Sequence, residues 1–281
     1  INNKDVDLFS LKPASILIET TEELSYKNAI YLGEVTDKFE GKVNGENINL
    51  EEVEATWLNK LKPIFPYKLE EEVETYDIKN KISEKKSYKS SITIAKPRVV
   101  IAAFPGTNSE YDMYNRFNEN GGEAKITLLR NLTQKHLIES VDEMCNDLRN
   151  SQIFVLPGGF SAGDEPDGSG KFMAAVLQNP KLMDEIKAFL DRDGLILGVC
   201  NGFQALVKSG LLPYGEIGNV HENSPTLTFN KIGRHISQIV KTKIVTNNSP
   251  WLSSFEIGET FDIPVSHGEG RFYASDEVLK Q

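Results

Sequence analysis

The chain has 281 residues and a formal net charge of −10, from 41 acidic against 31 basic residues. This acidic balance, with no basic cluster, argues against a nucleic-acid surface. The 39% of hydrophobic residues is enough for a sizeable core, but no run of roughly 18 apolar residues exists to span a membrane. Two cysteines, Cys145 and Cys200, do not suggest a disulfide framework and fit a reducing, cytoplasmic compartment. The cysteines and the four histidines have no zinc-like spacing, so no metal site is expected. The chain starts at Ile1 without Met, which reads as a fragment of a longer protein.

In the first hundred residues, Ala14 to Glu19 and Ala29 to Val35 read as strands, and Gly41 to Ile48 carries hairpin-type turn residues. Leu50 to Leu61 has helical spacing through Val53, Trp57, Leu58 and Leu61, ended by Pro63 and Pro66. This α+β piece has few apolar positions for its length, and it contains no phosphate loop. Glu70 to Lys96 mixes Glu70, Glu71, Glu72 and Glu74 with Lys79, Lys81, Lys85, Lys86 and Lys89, the composition of a solvated linker. The division expected is therefore 1–70, a linker at 71–96, and a main domain at 97–281.

That domain alternates. Arg98 to Phe104 is an apolar strand, followed by a helix that Asn108 can cap and Asn120-Gly121-Gly122 closes. Ala124 to Leu129 is the next strand. Thr133 to Leu148 is amphipathic, with Leu137, Val141, Met144, Cys145 and Leu148 on one stripe, which places Cys145 in the core and His136 on a solvated face. Ile153 to Leu156 is a third strand, Phe172 to Leu177 and Leu182 to Leu190 are helical, and Leu195 to Val199 leads into a helix from Asn201 to Leu211. Strands alternating with helices predict an α/β fold, a parallel sheet with helices on both faces. Leu227 to Phe229, His235 to Val245 and Thr260 to Val265 then suggest an antiparallel addition, with His221 and His235 structural or exposed.

Three stretches carry chemistry. Gly198-Val199-Cys200-Asn201-Gly202 is G-x-C-x-G, a nucleophile elbow with cysteine in place of serine. Its sulfur would sit at a helix N-terminus, where the field favours an anion. The bland alternative is a buried cysteine in a glycine-flanked turn. His267 and Glu269 are two apart after a strand, so a shared face would let Glu269 hold the imidazole while His267 serves Cys200. Phe154 to Leu156 ends in Pro157-Gly158-Gly159-Phe160, a turn able to offer a free backbone N–H as an oxyanion hole requires.

Phe104-Pro105-Gly106-Thr107-Asn108, Pro157-Gly158-Gly159-Phe160-Ser161, Cys200-Asn201-Gly202-Phe203-Gln204 and His267-Gly268-Glu269-Gly270, in this order, resemble the class I glutamine amidotransferases. Within that class they resemble the phosphoribosylformylglycinamidine synthase family of purine biosynthesis. The resemblance implies a flavodoxin-like parallel sheet, with residues 1–70 as the C-terminal remnant of the family's synthetase domain. It implies a glutaminase with Cys200, His267 and Glu269 as catalytic residues, and Gly158, Gly159, Phe160, Asn201 and Gln204 around the oxyanion and the substrate. Glutamine and the synthetase portion are the implied partners. No cofactor is expected in this chain; ATP and Mg²⁺ would act in the synthetase. The alternative class is another cysteine hydrolase or a chaperone of the flavodoxin-like superfold, which would typically keep its histidine close to the elbow and lack the Phe-Pro-Gly-Thr-Asn turn.

Overall fold

The structure is a computed structural model that describes residues 1–8, 10, 12–68, 94–164 and 168–279. Most of the expected linker lies outside the described residues. Two compact units divide the chain, Ile1–Val73 and Glu74–Gln281.

In the first unit, β1 (Gly41–Val43) and β2 (Glu46–Ile48) pair as an antiparallel hairpin. Its turn is Asn44-Gly45, at φ 49° and 98°, a pair of residues suited to a hairpin turn needing positive φ twice. Helix α1 (Leu50–Asn59) is capped by the Asn49 side chain, which accepts from the Glu52 N–H at 3.2 Å. The two earlier strands are not formed. Residues 14–19 and 29–35 have no ladder among the described residues, and Ile16 and Leu17 are each 82% exposed. An apolar run makes a strand only where another strand takes up its backbone groups in a ladder; here the Leu32 carbonyl accepts from the Asn2 N–H and the Tyr31 carbonyl from the Asn3 side chain, with no ladder among the described residues.

The second unit is built on a parallel sheet of β3 (Arg98–Ala103), β4 (Glu123–Leu128), β5 (Ile153–Leu156) and β6 (Leu195–Gly198), in the order β4-β3-β5-β6. That order is the first four strands of the flavodoxin-like arrangement, and its switch point lies between β3 and β5. The period-two alternation of β3 decides which side chain meets which layer. Val100, Ala102 and Phe104 join Phe154 and Leu156 in the larger core, against α3 (Gln134–Arg149), α4 (Lys171–Leu177), α5 (Pro180–Asp191) and α6 (Asn201–Ser209). Val99 and Ile101 face the other way with Val155, onto Met113 and Phe117 of α2 (Glu110–Glu119). Cys145 is fully buried on its α3 stripe, as its spacing predicts. His136 is half-buried instead of solvated, and its enclosed Nδ1 has no hydrogen-bond partner among the described residues.

Helix α2 begins one residue later than expected. Its N-cap is Ser109, and the Asn108 N–H is spent on the Gly158 carbonyl at 3.3 Å. Beyond α6, Gly210 at φ 91° ends the helix in the left-handed region, and a short helical turn α7 (Leu211–Tyr214) follows. The remaining strands are antiparallel. β7 (Thr226–Thr228) pairs with β10 (Arg271–Tyr273), and β8 (Ile236–Lys243) with β9 (Thr260–His267). The chain ends its described part in α8 (Asp276–Leu279). Trp251 donates its indole N–H to the Ile196 carbonyl at 3.1 Å. That contact occupies the open edge of β6, which otherwise presents unpaired backbone groups.

Phe154 is fully buried where the sheet meets its helices. Phe154→Ala is expected to cost about 3–5 kcal/mol, since the cavity left by an aromatic ring cannot collapse fully. Urea unfolding of the two proteins measures this, and a loss under 1 kcal/mol would contradict the packing described.

Candidate active site

Cys200 occupies the junction of β6 and α6 with φ 52° and ψ −112°. A side chain in that region is strained by on the order of 1–3 kcal/mol and persists only where its surroundings impose it. The glycines show what imposes it. A Cβ on Gly198 would stand 2.8 Å from the Gly202 carbonyl oxygen, and one on Gly202 would collide with the Leu156 carbonyl of β5. Strand, elbow and helix therefore approach too closely for any side chain at either position, and the chain turns sharply between them. The Cys200 side chain is left exposed at the C-terminal end of the sheet. Cys145 is buried instead: burial pushes its thiol up, the Glu185 charge adds to that, and its sulfur lies 3.7 Å from the Lys181 carbonyl.

The Pro157–Phe160 turn lies beside the elbow. A Cβ on Gly158 would stand 3.1 Å from the Cys200 Cβ. Gly158 uses all its polar groups: its N–H donates to Ser109 Oγ at 2.8 Å, and its carbonyl accepts from the Ser109 hydroxyl at 3.3 Å. The Phe160 N–H donates to the Gly106 carbonyl at 2.9 Å. Thr107 and Gly159 form an antiparallel bridge of the type whose flanking residues make the hydrogen bonds. The Gly159 N–H is thus directed away from Thr107, and among the described residues it has no acceptor. Gly159 is at φ 141°, and a Cβ there would meet backbone atoms of Gly106, Thr107 and Asn108 at 2.6–2.9 Å. A second amide comes from Asn201, the first residue of α6, whose N–H a helix leaves unpaired.

The Asn201 and Gln204 side chains brace the site from behind. Asn201 is buried; its amide donates to Asp164 at 3.1 Å and to Gln204 Oε1 at 3.2 Å, and its Oδ1 accepts from the Ser161 N–H. Gln204 donates to the Glu269 backbone carbonyl at 2.6 Å. This holds the His267–Gly270 segment against the first turns of α6. Phe160 is exposed, the only one of the five expected oxyanion and substrate residues whose side chain is open to solvent.

The expected Glu269–His267 pair is not formed. β9 ends at His267, so the chain bends at Gly268 and the two-apart rule of an extended strand no longer applies. The Glu269 carboxylate instead accepts from the Ser169 N–H at 2.5 Å. Burial works against its charge, but the Ser169 hydrogen bonds and the Lys208 ammonium outweigh this and hold the carboxyl below its ordinary value. Burial pushes Lys208 down in turn, opposed by Glu269 and Asp164, and its ammonium donates to the Ser169 carbonyl at 2.7 Å. The His267 ring lies over Gly270, where a Cβ would collide with it. Its Nδ1 is 2.9 Å from Asn230 Oδ1. Among the described residues no group of three His, Cys, Asp or Glu side chains is placed to hold a metal ion.

Sequence reading passed over Ser109, Ser169, Lys208 and Asn230. Lys208 had a signal, since Cys200, Gln204 and Lys208 recur at four-residue spacing on one helix face. Ser109 directly follows the Phe-Pro-Gly-Thr-Asn run. Asn230 had none beyond a turn-like Asn-Lys-Ile-Gly.

The sequence profile of the CobB/CobQ-like glutamine amidotransferase domain matches residues 96–281. The phosphoribosylformylglycinamidine synthase subunit PurQ of Wolinella succinogenes is 31% identical over 183 residues, 65% of this chain and 71% of that protein. The subunit of the same name from Thermotoga maritima is 32% identical over 185 residues, 65% of this chain and 71% of that protein. That from Campylobacter jejuni is 33% identical over 184 residues, 66% and 69% respectively. A solved structure of PurLQS from Thermotoga maritima contains a chain 30% identical, at a TM-score of 0.49, covering 65% of this chain and 71% of that one.

Two outcomes follow from the site's geometry. Cys200→Gly removes the strain at φ 52°, whereas Cys200→Ala keeps it. The glycine variant is expected to be the more stable by about 1 kcal/mol in chemical denaturation; an alanine variant more stable than the glycine one would contradict the strain. Glu269 has a depressed folded pKa, so its contribution is complete above the ordinary carboxylate range and is lost as pH falls through the folded value. The stability gap between the parent protein and Glu269→Gln should therefore be constant near neutrality and shrink on acidification. A gap that widens as pH falls would refute the assignment.

Proposed function

The chain belongs to the CobB/CobQ-like glutamine amidotransferases, in the branch of the phosphoribosylformylglycinamidine synthase subunit PurQ, and from that premise we propose that it hydrolyses glutamine through a thioester on Cys200. The observation that carries this is the strained elbow. Cys200 is exposed at the mouth of the sheet, beside Gly158, and the Gly159 N–H in the adjoining turn has no acceptor among the described residues.

The thiolate attacks the side-chain carboxamide carbon of glutamine, and the carbonyl π electrons move to oxygen. The resulting oxyanion accepts from the Gly159 and Asn201 backbone N–H groups, each such donor typically worth about 3 kcal/mol. His267, protonated by the departing thiol proton, hands that proton to the nitrogen as the C–N bond breaks, which releases ammonia. The same imidazole then takes a proton from water, whose oxygen attacks the thioester carbon. Glutamate leaves, and the proton returns to the thiolate. Glu269, paired with Ser169 and Lys208, walls the site with a fixed charge.

The ammonia serves an ATP- and Mg²⁺-dependent synthetase that converts formylglycinamide ribonucleotide to formylglycinamidine ribonucleotide. The relatives' name, a subunit of that synthase, supports this partner. Residues 1–70 fit the end of such a synthetase portion: Ile16, Leu17 and Trp57 are apolar and exposed, as surface left by a larger domain is. A cytoplasmic location belongs to the same reading, and no helix among the described residues is long and apolar enough to cross a membrane.

The test is glutamate release together with peptide mapping after reaction with a glutamine-analogue electrophile. Cys200→Ser and His267→Ala should each lower glutaminase turnover by at least about 10²-fold, and the label should fall on Cys200. Label found chiefly on Cys145, or turnover retained in both variants, would refute the proposal.

A further inference from the structure

The Asn230 amide can be oriented without ambiguity. Its Nδ2 lies 2.9 Å from the Arg234 carbonyl and 2.7 Å from the His267 carbonyl. Both partners only accept, so the atom facing them must be the nitrogen, which has two hydrogens to donate. The other amide atom is then the oxygen, and it faces His267 Nδ1 at 2.9 Å. A carbonyl oxygen only accepts, so Nδ1 must carry a hydrogen. In the neutral ring this leaves the lone pair on Nε2. The Asn230 backbone N–H also donates to the Gly268 carbonyl at 2.9 Å. Asn230 is half-buried and clamps the ring, the His267 carbonyl and the next peptide together.

We propose that Asn230 is the positioning residue of His267, fixing the Nδ1–H tautomer so that Nε2 is the nitrogen that takes the thiol proton and gives it to the leaving amine. This rests on the reading of His267 as the acid–base of the glutaminase. Glu269 does not fill the role here, because its carboxylate is turned to Ser169 and Lys208 and accepts nothing from the imidazole. Asn230 orients the ring without adding charge.

The experiment is ¹⁵N NMR of the imidazoles in the whole chain at a pH where His267 is neutral, with His267→Ala identifying the signal, combined with glutaminase rate profiles. The parent protein should show His267 as Nδ1–H. Asn230→Ala should move it toward the Nε2–H form that free imidazole favours in water, and should lower kcat by on the order of 10²-fold with KM little changed. Asn230→Asp keeps an acceptor at Nδ1 and should keep the Nδ1–H form. Its charge favours imidazolium, so the acidic limb of the rate profile should move to higher pH. Glu269→Gln should leave the tautomer as in the parent.

An Nε2–H ring in the parent protein overturns the proposal even if Asn230→Ala does not fold. So does an Asn230→Ala variant with unchanged tautomer and kcat, or a Glu269→Gln variant in which the tautomer switches. If Cys200→Ser and His267→Ala retain turnover, the glutaminase reading itself fails; if they lose it while Asn230→Ala does not, only this inference fails.

Discussion

The approach of α6 to β5, with Gly202 against the Leu156 carbonyl, is the contact on which the site's geometry depends. It seats the helix so close to the sheet that Val199 and Cys200 alone must carry the chain from strand to helix. The energy that holds Cys200 at positive φ comes from the apolar side chains of the same contact, Ala205, Leu206 and Leu156, all buried in the larger core. Burial on this scale, roughly 1.5–3 kcal/mol for each large side chain, exceeds the strain of about 1–3 kcal/mol at one residue. One packing interaction therefore supplies both the stability of the sheet–helix layer and the exposure of the sulfur.

The second constraint lies at the switch point between β3 and β5, where the turns after the two strands are tied by the Thr107–Gly159 bridge. The bridge takes up the Phe160 and Asn108 amides and leaves the Gly159 amide without an acceptor among the described residues. Ser109 does comparable work from α2. As N-cap residue its hydroxyl would ordinarily serve its own helix, but it makes no cap bond and engages both polar groups of Gly158 instead. The helix forgoes a cap, and the glycine turn gains a fixed position beside Cys200.

What was legible in the sequence and what was not divides by the range of the interaction. Three of the four parallel strands are short apolar runs and β4 alternates polar with apolar residues; their partners are supplied by βα alternation, so pattern alone placed them. The elbow was legible because its two glycines and its cysteine lie within five residues. Ala14 to Glu19 looked equally strand-like, but strand formation depends on a partner that no local pattern reveals. The Glu269–His267 pair failed for a similar reason: the spacing rule holds only inside a strand, and β9 ends at the histidine itself. Asn230 reaches His267 across 37 positions of sequence, through a loop with no periodic signal. Long-range side-chain bonds of this kind are specified by the tertiary fold and are the part least open to sequence reading.

The charges around the site follow from the same layout. Asp164 and the Glu269 segment are both tied to the first turns of α6 beside Cys200, and in the mechanism proposed above their two carboxylates would oppose the negative charge that forms on sulfur and then on oxygen. Lys208 lies within electrostatic reach of both and is itself half-buried. Burying an ammonium is costly unless it is compensated; the Ser169 carbonyl accepts its hydrogen bond, and the charges of the two carboxylates favour it from a distance. The Asn201 amide takes up Asp164 further, at both carboxylate oxygens. With its carboxylates bound in this way, the site leaves the backbone amides of Gly159 and Asn201 as the groups that, in the proposed mechanism, meet the developing negative charge. Such dipoles are fixed by the fold and need no reorganisation when the charge appears. The neutral orienter proposed for His267 suits this balance, because a further carboxylate at Nδ1 would add a negative charge next to the one that the proposed reaction creates.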